Sequence, residues 1–257
     1  MLYANRLRAG SFGEDALLYD RARPGYPDAM IDDLVRDSPR AILDVGCGTG
    51  ISTRAFSTRG FSVLGVEPDP RMAAVATEHG LDVEVGTFEA WDPKGRSFDL
   101  LVCGQSWHWV DPVVGPAKAA DVLLPFGKIA LFWNQGTQDQ ELSEALHRVY
   151  DELAPGMEEN SIILRDLGRD RAEEAARSFD ATLRFTPSKI RSYPWSKRYD
   201  ADEWLDNLMT HSDHRTMDPR ARQALFEAIA EVIERFGGFI EMHYRCTMLA
   251  ATRIAGV

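Results

Sequence analysis

The chain has 257 residues, enough for one large α/β domain with additions or for two domains. With 44% hydrophobic and 27% charged residues, it has the composition of a soluble globular protein and not of a disordered or membrane-spanning one. A formal net charge of −11 argues against an extended grip on nucleic acid, whose phosphates call for Lys and Arg.

The opening stretch, MLYANRLRAGSFGED, holds no apolar signal-like core, and no window of the chain is long and apolar enough to cross a bilayer, so a cytoplasmic location and no membrane partner are expected. Ala41 to Val45 reads as a short apolar strand. It runs into Gly46, Gly48 and Gly50, and Ile51 to Thr58 can begin a helix. Glycines in this spacing let the backbone turn tightly and approach a ligand, with the helix N-terminus facing it. A dinucleotide fingerprint would place its third glycine three residues after the second, where this chain has Ile51. Asp44, at the strand's end, would repel a pyrophosphate. It could attract an ammonium group or ordered water, or simply tie down its own turn.

Phe61 to Pro68 reads as a second buried strand, and Asp69 and Pro70 start a helix that stops at Gly80. Glu67 closes this strand about 20 residues past the glycine loop, where an acid can accept both hydroxyls of a ribose. Leu81 to Gly86 is a third strand, followed by Thr87, Phe88 and Glu89, a short loop able to lie along an adenine ring or, at Phe88, to join the core. Phe98 to Gly104 is a fourth strand. It ends in GQSWHWVDP, which puts Trp107, His108 and Trp109 at the sheet's carboxyl edge, where His108 can be a base, a hydrogen-bonding anchor or a locally satisfied side chain. Asp111 caps the next helix, with Pro112 in its first turn and its body around Pro116 to Leu124. Gly127 to Trp133 is a fifth strand. Strands alternating with helices in this way imply a doubly wound parallel sheet.

Beyond Trp133 the alternation fails. Helices are expected at Gln138 to Leu153, Arg165 to Arg177, Ala201 to Met209 and Pro219 to Phe236, with strands at Ile190 to Trp195 and Phe239 to Thr252. Pro194 favours an edge position for the former. The late helices read as a lid over the carboxyl ends of the strands. His211 and His214, near Asp213 and Asp218, could suggest a metal, but the segment also looks like an interhelix connection, and no metal is expected. RSYPWSKRY mixes basic and aromatic residues as nucleic-acid surfaces do, yet an edge strand with a solvated face explains it equally well. Cys47, Cys103 and Cys246 have no metal-ligand spacing.

ILDVGCGTG, VEPDPRM, GTFEAWD and LLPFGKIALFW together resemble the motifs of the class I S-adenosylmethionine-dependent methyltransferases, over nearly the whole chain. Phe126 departs from the pattern, since the family usually has glycine there. YDRARPGYP and QSWHWVD resemble the small-molecule branch that includes trans-aconitate methyltransferase. The resemblance implies an α/β, Rossmann-like, seven-stranded sheet whose last strand is antiparallel and lies between the fifth and sixth. It implies one domain over 1–257, with a cap at 1–36, a cofactor-binding core at 37–135, helical lid segments at 136–186 and 200–237, and final strands at 187–199 and 238–257. It further implies S-adenosyl-L-methionine as cofactor, S-adenosyl-L-homocysteine as product, and a monomer or homodimer. The expected cofactor residues are Tyr19 and Arg23 near the methionine carboxylate, with Asp44, Gly46, Cys47, Gly48, Gly50, Glu67, Pro68, Thr87, Phe88, Glu89 and Gln105. Ser106, Trp107, His108 and Trp109 are expected to meet a small-molecule acceptor, with His108 the candidate catalytic residue. Rival readings are an NAD-dependent oxidoreductase, which conflicts with the glycine spacing and Asp44, and a non-catalytic S-adenosylmethionine-binding protein. A nucleic-acid or protein methyltransferase would lack both a basic face and an Asn-Pro-Pro-Tyr/Phe motif.

Overall fold

The computed structural model describes residues 13, 15–157 and 168–255. Residues 1–12 and 14 of the expected cap, the start of the helix expected from Arg165, and residues 256–257 of the last expected segment lie outside the described residues. Helices α1 (Ala16–Ala22) and α2 (Asp28–Val35) precede the alternating core of β1 (Ile42–Val45), α3 (Ile51–Ser57), β2 (Val63–Glu67), α4 (Pro70–Glu78), β3 (Asp82–Val85), β4 (Phe98–Gly104), α5 (Val114–Val122) and β5 (Leu123–Thr137). The remainder is α6 (Gln140–Leu153), α7 (Gly168–Ala181), β6 (Lys189–Asp200), α8 (Ala201–Met209), α9 (Ser212–Arg215), α10 (Pro219–Arg235) and β7 (Phe239–Thr252). The strands form one sheet in the order β3-β2-β1-β4-β5-β7-β6. The first five are parallel, and β7 runs antiparallel to both β5 and β6.

The central strands are mostly apolar because both sheet faces are covered. Alternate side chains go to opposite faces. Ile42, Leu100, Val102, Ala130 and Phe132 pack with Met30, Ile31 and Phe56 on one side. Leu43, Leu101, Cys103, Ile129, Leu131 and Trp133 pack with Ala119, Ala172, Ala175 and Phe179 on the other. All three cysteines are free and buried.

Three expectations need correction. The fifth strand extends from Leu123 to Thr137 instead of Gly127 to Trp133, and α5 gives way at Val122. Phe98 pairs with Leu123 but Leu100 with Lys128, so β5 takes up extra residues in a bulge between these pairs. Phe126 lies in that bulge with φ +67°, in the left-handed region, and is 71% exposed. Its N–H donates to Arg253 O (3.2 Å), and Arg253 N–H donates to Gly127 O (2.8 Å). At its far end β5 continues through Asn134–Thr137 because β7 supplies antiparallel partners out to Thr137↔His243. Pairing, not local propensity, decides that stretch. Third, α5 starts at Val114, so Pro112 precedes it. Asp111 Oδ1 still accepts from Val113 N and Val114 N, at 2.8 and 3.0 Å.

The β5–β7–β6 ribbon outreaches the parallel strands, and its extension carries a second core. Leu142, Leu146 and Tyr150 of α6, Trp204 and Leu208 of α8, and Leu225, Ile229, Val232 and Ile233 of α10 pack there with Tyr199, Ile240, Met242 and Tyr244. Among the described residues β6 is the sheet edge, and Pro194 sits in it opposite Arg245, an edge position being where a strand proline is tolerated. Among the described residues no helix is long and apolar enough to cross a membrane.

Candidate functional site

A cavity of about 510 Å³ opens at the carboxyl ends of β1, β2 and β4. Its floor begins at the glycine loop. Gly46 N and Cys47 N donate to Val66 O (2.8 and 3.3 Å), joining the loop to β2, and Gly48 N donates to Glu67 Oε2 (2.9 Å). The other oxygen of Glu67 accepts from Asp69 N (2.9 Å). Glu67 is 7% exposed, and burial raises its pKa to about 7 against the pull of these two amides. Gly46, Cys47, Gly48, Glu67 and Pro68 all line the cavity.

Two expected cofactor residues lie behind this wall. Asp44 is fully buried, and its Oδ2 accepts from Ser52 Oγ (2.6 Å) and Thr53 Oγ1 (2.7 Å), fastening the first turn of α3 to β1. Burial raises its pKa to about 6, and it makes no part of the cavity surface. Gly50 is the N-cap of α3 at φ +87°, where an added Cβ would come 2.2 Å from Leu81 Cδ1. That glycine is dictated by α4–β3 packing and not by an approaching ligand.

The loop after β3 forms the next wall. Thr87 O accepts from Ala90 N (3.1 Å) and Trp91 N (2.9 Å), and Glu89 Oε1 accepts from Asp111 N (2.9 Å). From α5, Lys118 Nζ donates to Glu89 O (3.0 Å) and to Trp91 O, over the faces of Phe88 and Trp91. Phe88 does both things the sequence allowed: it is 3% exposed in the core, 6.0 Å from the Trp107 ring, and it lines the cavity with Thr87 and Glu89.

The end of β4 supplies Gln105, Ser106, His108 and Trp109. Gln105 adopts φ +59°, held by its N–H to Phe132 O (2.8 Å) and Nε2 to Asn134 O (3.2 Å). Ser106 Oγ is 3.2 Å from both Val45 O and Gly46 O, so it locks β4 to the glycine loop while touching the cavity. His108 and Trp109 are neighbouring rings, 4.9 Å between centres, on a short 3₁₀ turn. Trp107 departs from expectation. It is 4% exposed and packs against Phe179 of α7 (5.4 Å), turned into the core and away from the cavity.

Tyr19 and Arg23 close the cavity from α1 and the turn after it. Tyr26, which sequence reasoning passed over, lies beside them. Gly104 admits it, since an added Cβ there would meet Tyr26 Oη at 2.5 Å, and its ring stands edge-on to Phe132 at 4.7 Å. It sits in YDRARPGYP, so the signal was present. Asp170, Arg171 and Glu174 of α7 also reach the cavity, as do Met72, Ile51 and Ser52. Nothing in the polar pattern of α7 separates these residues from an ordinary solvated face. His214 is buried between Tyr150 Oη (2.7 Å) and Asp213 Oδ1 (3.0 Å), and no metal-holding cluster occurs among the described residues.

A sheet of this order, with its antiparallel last strand inserted beside β5 and a ligand-sized cavity over the glycine loop, defines the fold of the class I methyltransferases. Residues 42–127 match a family model described as a methyltransferase domain. The chain is thus similar in sequence to methyltransferases over its parallel half and shares their fold over most of its length. An uncharacterized methyltransferase of Mycobacterium tuberculosis is 39% identical over 134 residues, 51% of this chain and 54% of that protein. Trans-aconitate 2-methyltransferase of Mycobacterium tuberculosis is 33% identical over 92 residues, 35% of this chain and 34% of that protein. The chain thus spans about half the length, or less, of these curated relatives. A solved structure from Anaeromyxobacter dehalogenans, assigned as a type II methyltransferase, superposes with a TM-score of 0.64 over 89% of this chain and 97% of that one, at 23% identity.

Proposed function

We propose that this chain transfers a methyl group from S-adenosylmethionine to a small-molecule acceptor. The observation that carries the reading is one cavity that joins the glycine loop and Glu67 at one end to His108 and Trp109 at the other. The donor's chemical features find counterparts in the wall. Glu67 keeps acceptor capacity for ribose hydroxyls beyond its two backbone bonds, and Thr87, Phe88 and Glu89 offer an apolar face and backbone groups for adenine. Tyr19 and Arg23 are placed for the amino-acid end, with Gly46, Cys47, Gly48, Pro68 and Gln105 around the centre. Asp44 and Gly50 act from behind, by holding the loop's shape.

When bound, S-adenosylmethionine supplies an activated methyl group on a sulfonium. The chain's own contribution is orientation of the acceptor and exclusion of water. His108 orients a carboxylate acceptor by hydrogen bonding, or takes the proton of a hydroxyl acceptor at an imidazole nitrogen. Trp109 gives the acceptor an apolar contact. The chain's overall acidity favours a small acceptor over nucleic acid.

Calorimetry with S-adenosylhomocysteine and with NADH separates this reading from the oxidoreductase one. Binding of the former alone is expected, and binding of NADH alone would overturn the proposal. Turnover is then tested with methyl-labelled cofactor and fractionated metabolites, where label in no compound would leave only a binding protein.

A further inference from the structure

Residues 24–26, which bring Pro24 and Tyr26 into the cavity wall, lie over the ends of β4 and β5. The ring of Tyr26 stands edge-on to Phe132, and one pleat further along the same face of β5 Asn134 Nδ2 donates to Gly25 O (2.7 Å). Among the described residues no other hydrogen bond ties residues 24–26 to the sheet. The second atom of the same carboxamide is also engaged, since Asn134 Oδ1 accepts from Trp195 Nε1 of β6 (3.1 Å). An indole N–H only donates and a carbonyl oxygen only accepts, so these two partners fix which way the amide faces. Asparagine suits both; aspartate would lack the donor, and leucine would lack donor and acceptor alike.

The main-chain carbonyl of Asn134 makes a third connection. It accepts from Gln105 Nε2 (3.2 Å), and Phe132 O accepts from Gln105 N (2.8 Å), which together hold Gln105 at φ +59°. A non-glycine residue in that region is strained and persists only where its surroundings impose it. Asn134 itself does not line the cavity, yet it fastens two parts of the wall that do. Neither Tyr26 Oη nor Gln105 Oε1 makes a hydrogen bond to another described residue, so both polar atoms remain for a ligand.

We propose that Asn134 is a positioning residue of the methyl-transfer site. Without touching the ligand, it holds Tyr26 and Gln105 at the separation at which both meet the bound methyl donor and its acceptor. The inference rests on the methyltransferase reading of the cavity.

The test uses the full chain with Asn134→Asp, Asn134→Ala and Trp195→Phe, and S-adenosylhomocysteine as the probe. Asn134→Asp keeps the bond from Trp195 and loses the one to Gly25, whereas Trp195→Phe keeps the bond to Gly25 and loses the other. In stopped-flow displacement, release of S-adenosylhomocysteine is expected to be about tenfold faster from Asn134→Asp and Asn134→Ala, and within about twofold of wild type from Trp195→Phe. Ligand-free Tm supplies the contrast, because a merely structural bond would lower Tm in both single-bond variants and leave release unchanged. The role is overturned if release from the Asn134 variants stays within about twofold of wild type, or if Trp195→Phe speeds it as much as Asn134→Asp does. If neither Asn134 variant folds, the wild-type chain decides. The indole N–H resonance of Trp195, identified by its absence from Trp195→Phe, is expected to exchange with deuterium severalfold more slowly once S-adenosylhomocysteine is bound, and exchange indifferent to the ligand overturns the role. A wild-type chain that does not bind S-adenosylhomocysteine overturns the methyltransferase reading and this role with it, whereas binding that the Asn134 variants leave unaltered overturns the role alone.

Discussion

At the scale of single residues, Glu67 carries the most tension. Its carboxyl is buried, and its pKa of about 7 leaves it about half protonated at neutral pH. Ribose hydroxyls donate to the ionised form and so favour it, and binding of S-adenosylhomocysteine at pH 7 is expected to release about half a proton. Calorimetry in two buffers of different ionisation enthalpy measures this, and a buffer-independent heat would remove Glu67 from the ribose site. The sign for stability follows from the same shift. A carboxyl whose folded pKa exceeds its unfolded value of 4.5 stabilises the fold below that pH and loses this contribution as pH rises towards about 7. Asp44 adds a loss of the same sign between 3.8 and about 6. Ligand-free Tm should therefore decline across this range, and Glu67→Gln should flatten the upper part of the decline. His108→Ala divides the two roles open to that side chain. An anchor raises KM with kcat kept, whereas a base lowers kcat by about 10²-fold or more. Both residues stood out in the sequence, Glu67 because it closes β2 and His108 because it lies in the short stretch that follows β4. Trp107 was not, since a 3₁₀ turn decides which of three successive side chains faces inward.

At the scale of elements, β5 shows where sequence reading stops. Its apolar centre was plain, but its ends are set by partners: the bulge by β4 and the far extension by β7. Phe126 in the bulge carries the strain. A left-handed backbone at a bulky, 71% exposed side chain costs about 1–2 kcal/mol, and glycine removes that at an entropic cost of about 0.5–1 kcal/mol. Phe126→Gly is expected to raise stability by up to about 1 kcal/mol, seen as a higher denaturation midpoint at constant m-value, and a lower midpoint would show that the ring makes a contact worth keeping. The family pattern, with glycine at this place, had marked the anomaly before any coordinates. Strands β4 and β7 and helix α8 were readable to the residue, since each is bounded by its own turn or cap signals, such as the capping box of Asp200 and Glu203.

At the scale of the whole molecule, α1 connects two assemblies. Asp20 accepts from Arg54 Nη2 (2.8 Å) and lies 2.7 Å from His79 Nε2, on the parallel side. Arg21 pairs with Asp206 (2.8 Å), and Asn207 Nδ2 donates to Ala22 O (3.0 Å), on the side of the helical additions. A cofactor bound in this cavity, as proposed, should therefore leave only when α1 loosens. Asp20→Asn weakens one partly buried ion pair, worth about 1 kcal/mol, and is expected to speed release of S-adenosylhomocysteine about fivefold in stopped-flow traces with equilibrium binding of 5′-methylthioadenosine following suit. An unchanged off-rate would mean that the ligand escapes by another route. The parallel half and most of the residues that line its cavity could be read from the chain because their signals are local. The closure of α1 and α7 over the cavity could not, since it depends on contacts up to 187 positions apart, as between Arg23 and Thr210.

The inserted position of β7 has a consequence for synthesis. Among the described residues β6 pairs with no strand but β7, and the long apolar β5 has an open edge until β7 fills the slot between them. On the ribosome, more than a hundred residues must follow the end of β5 before that edge is paired, and such late, non-local closure folds slowly. The nascent chain is therefore exposed to edge-to-edge association for most of its second half. A chain ending before Phe239 should aggregate, with sedimentation as the measure, and it should be the form that chaperones hold longest.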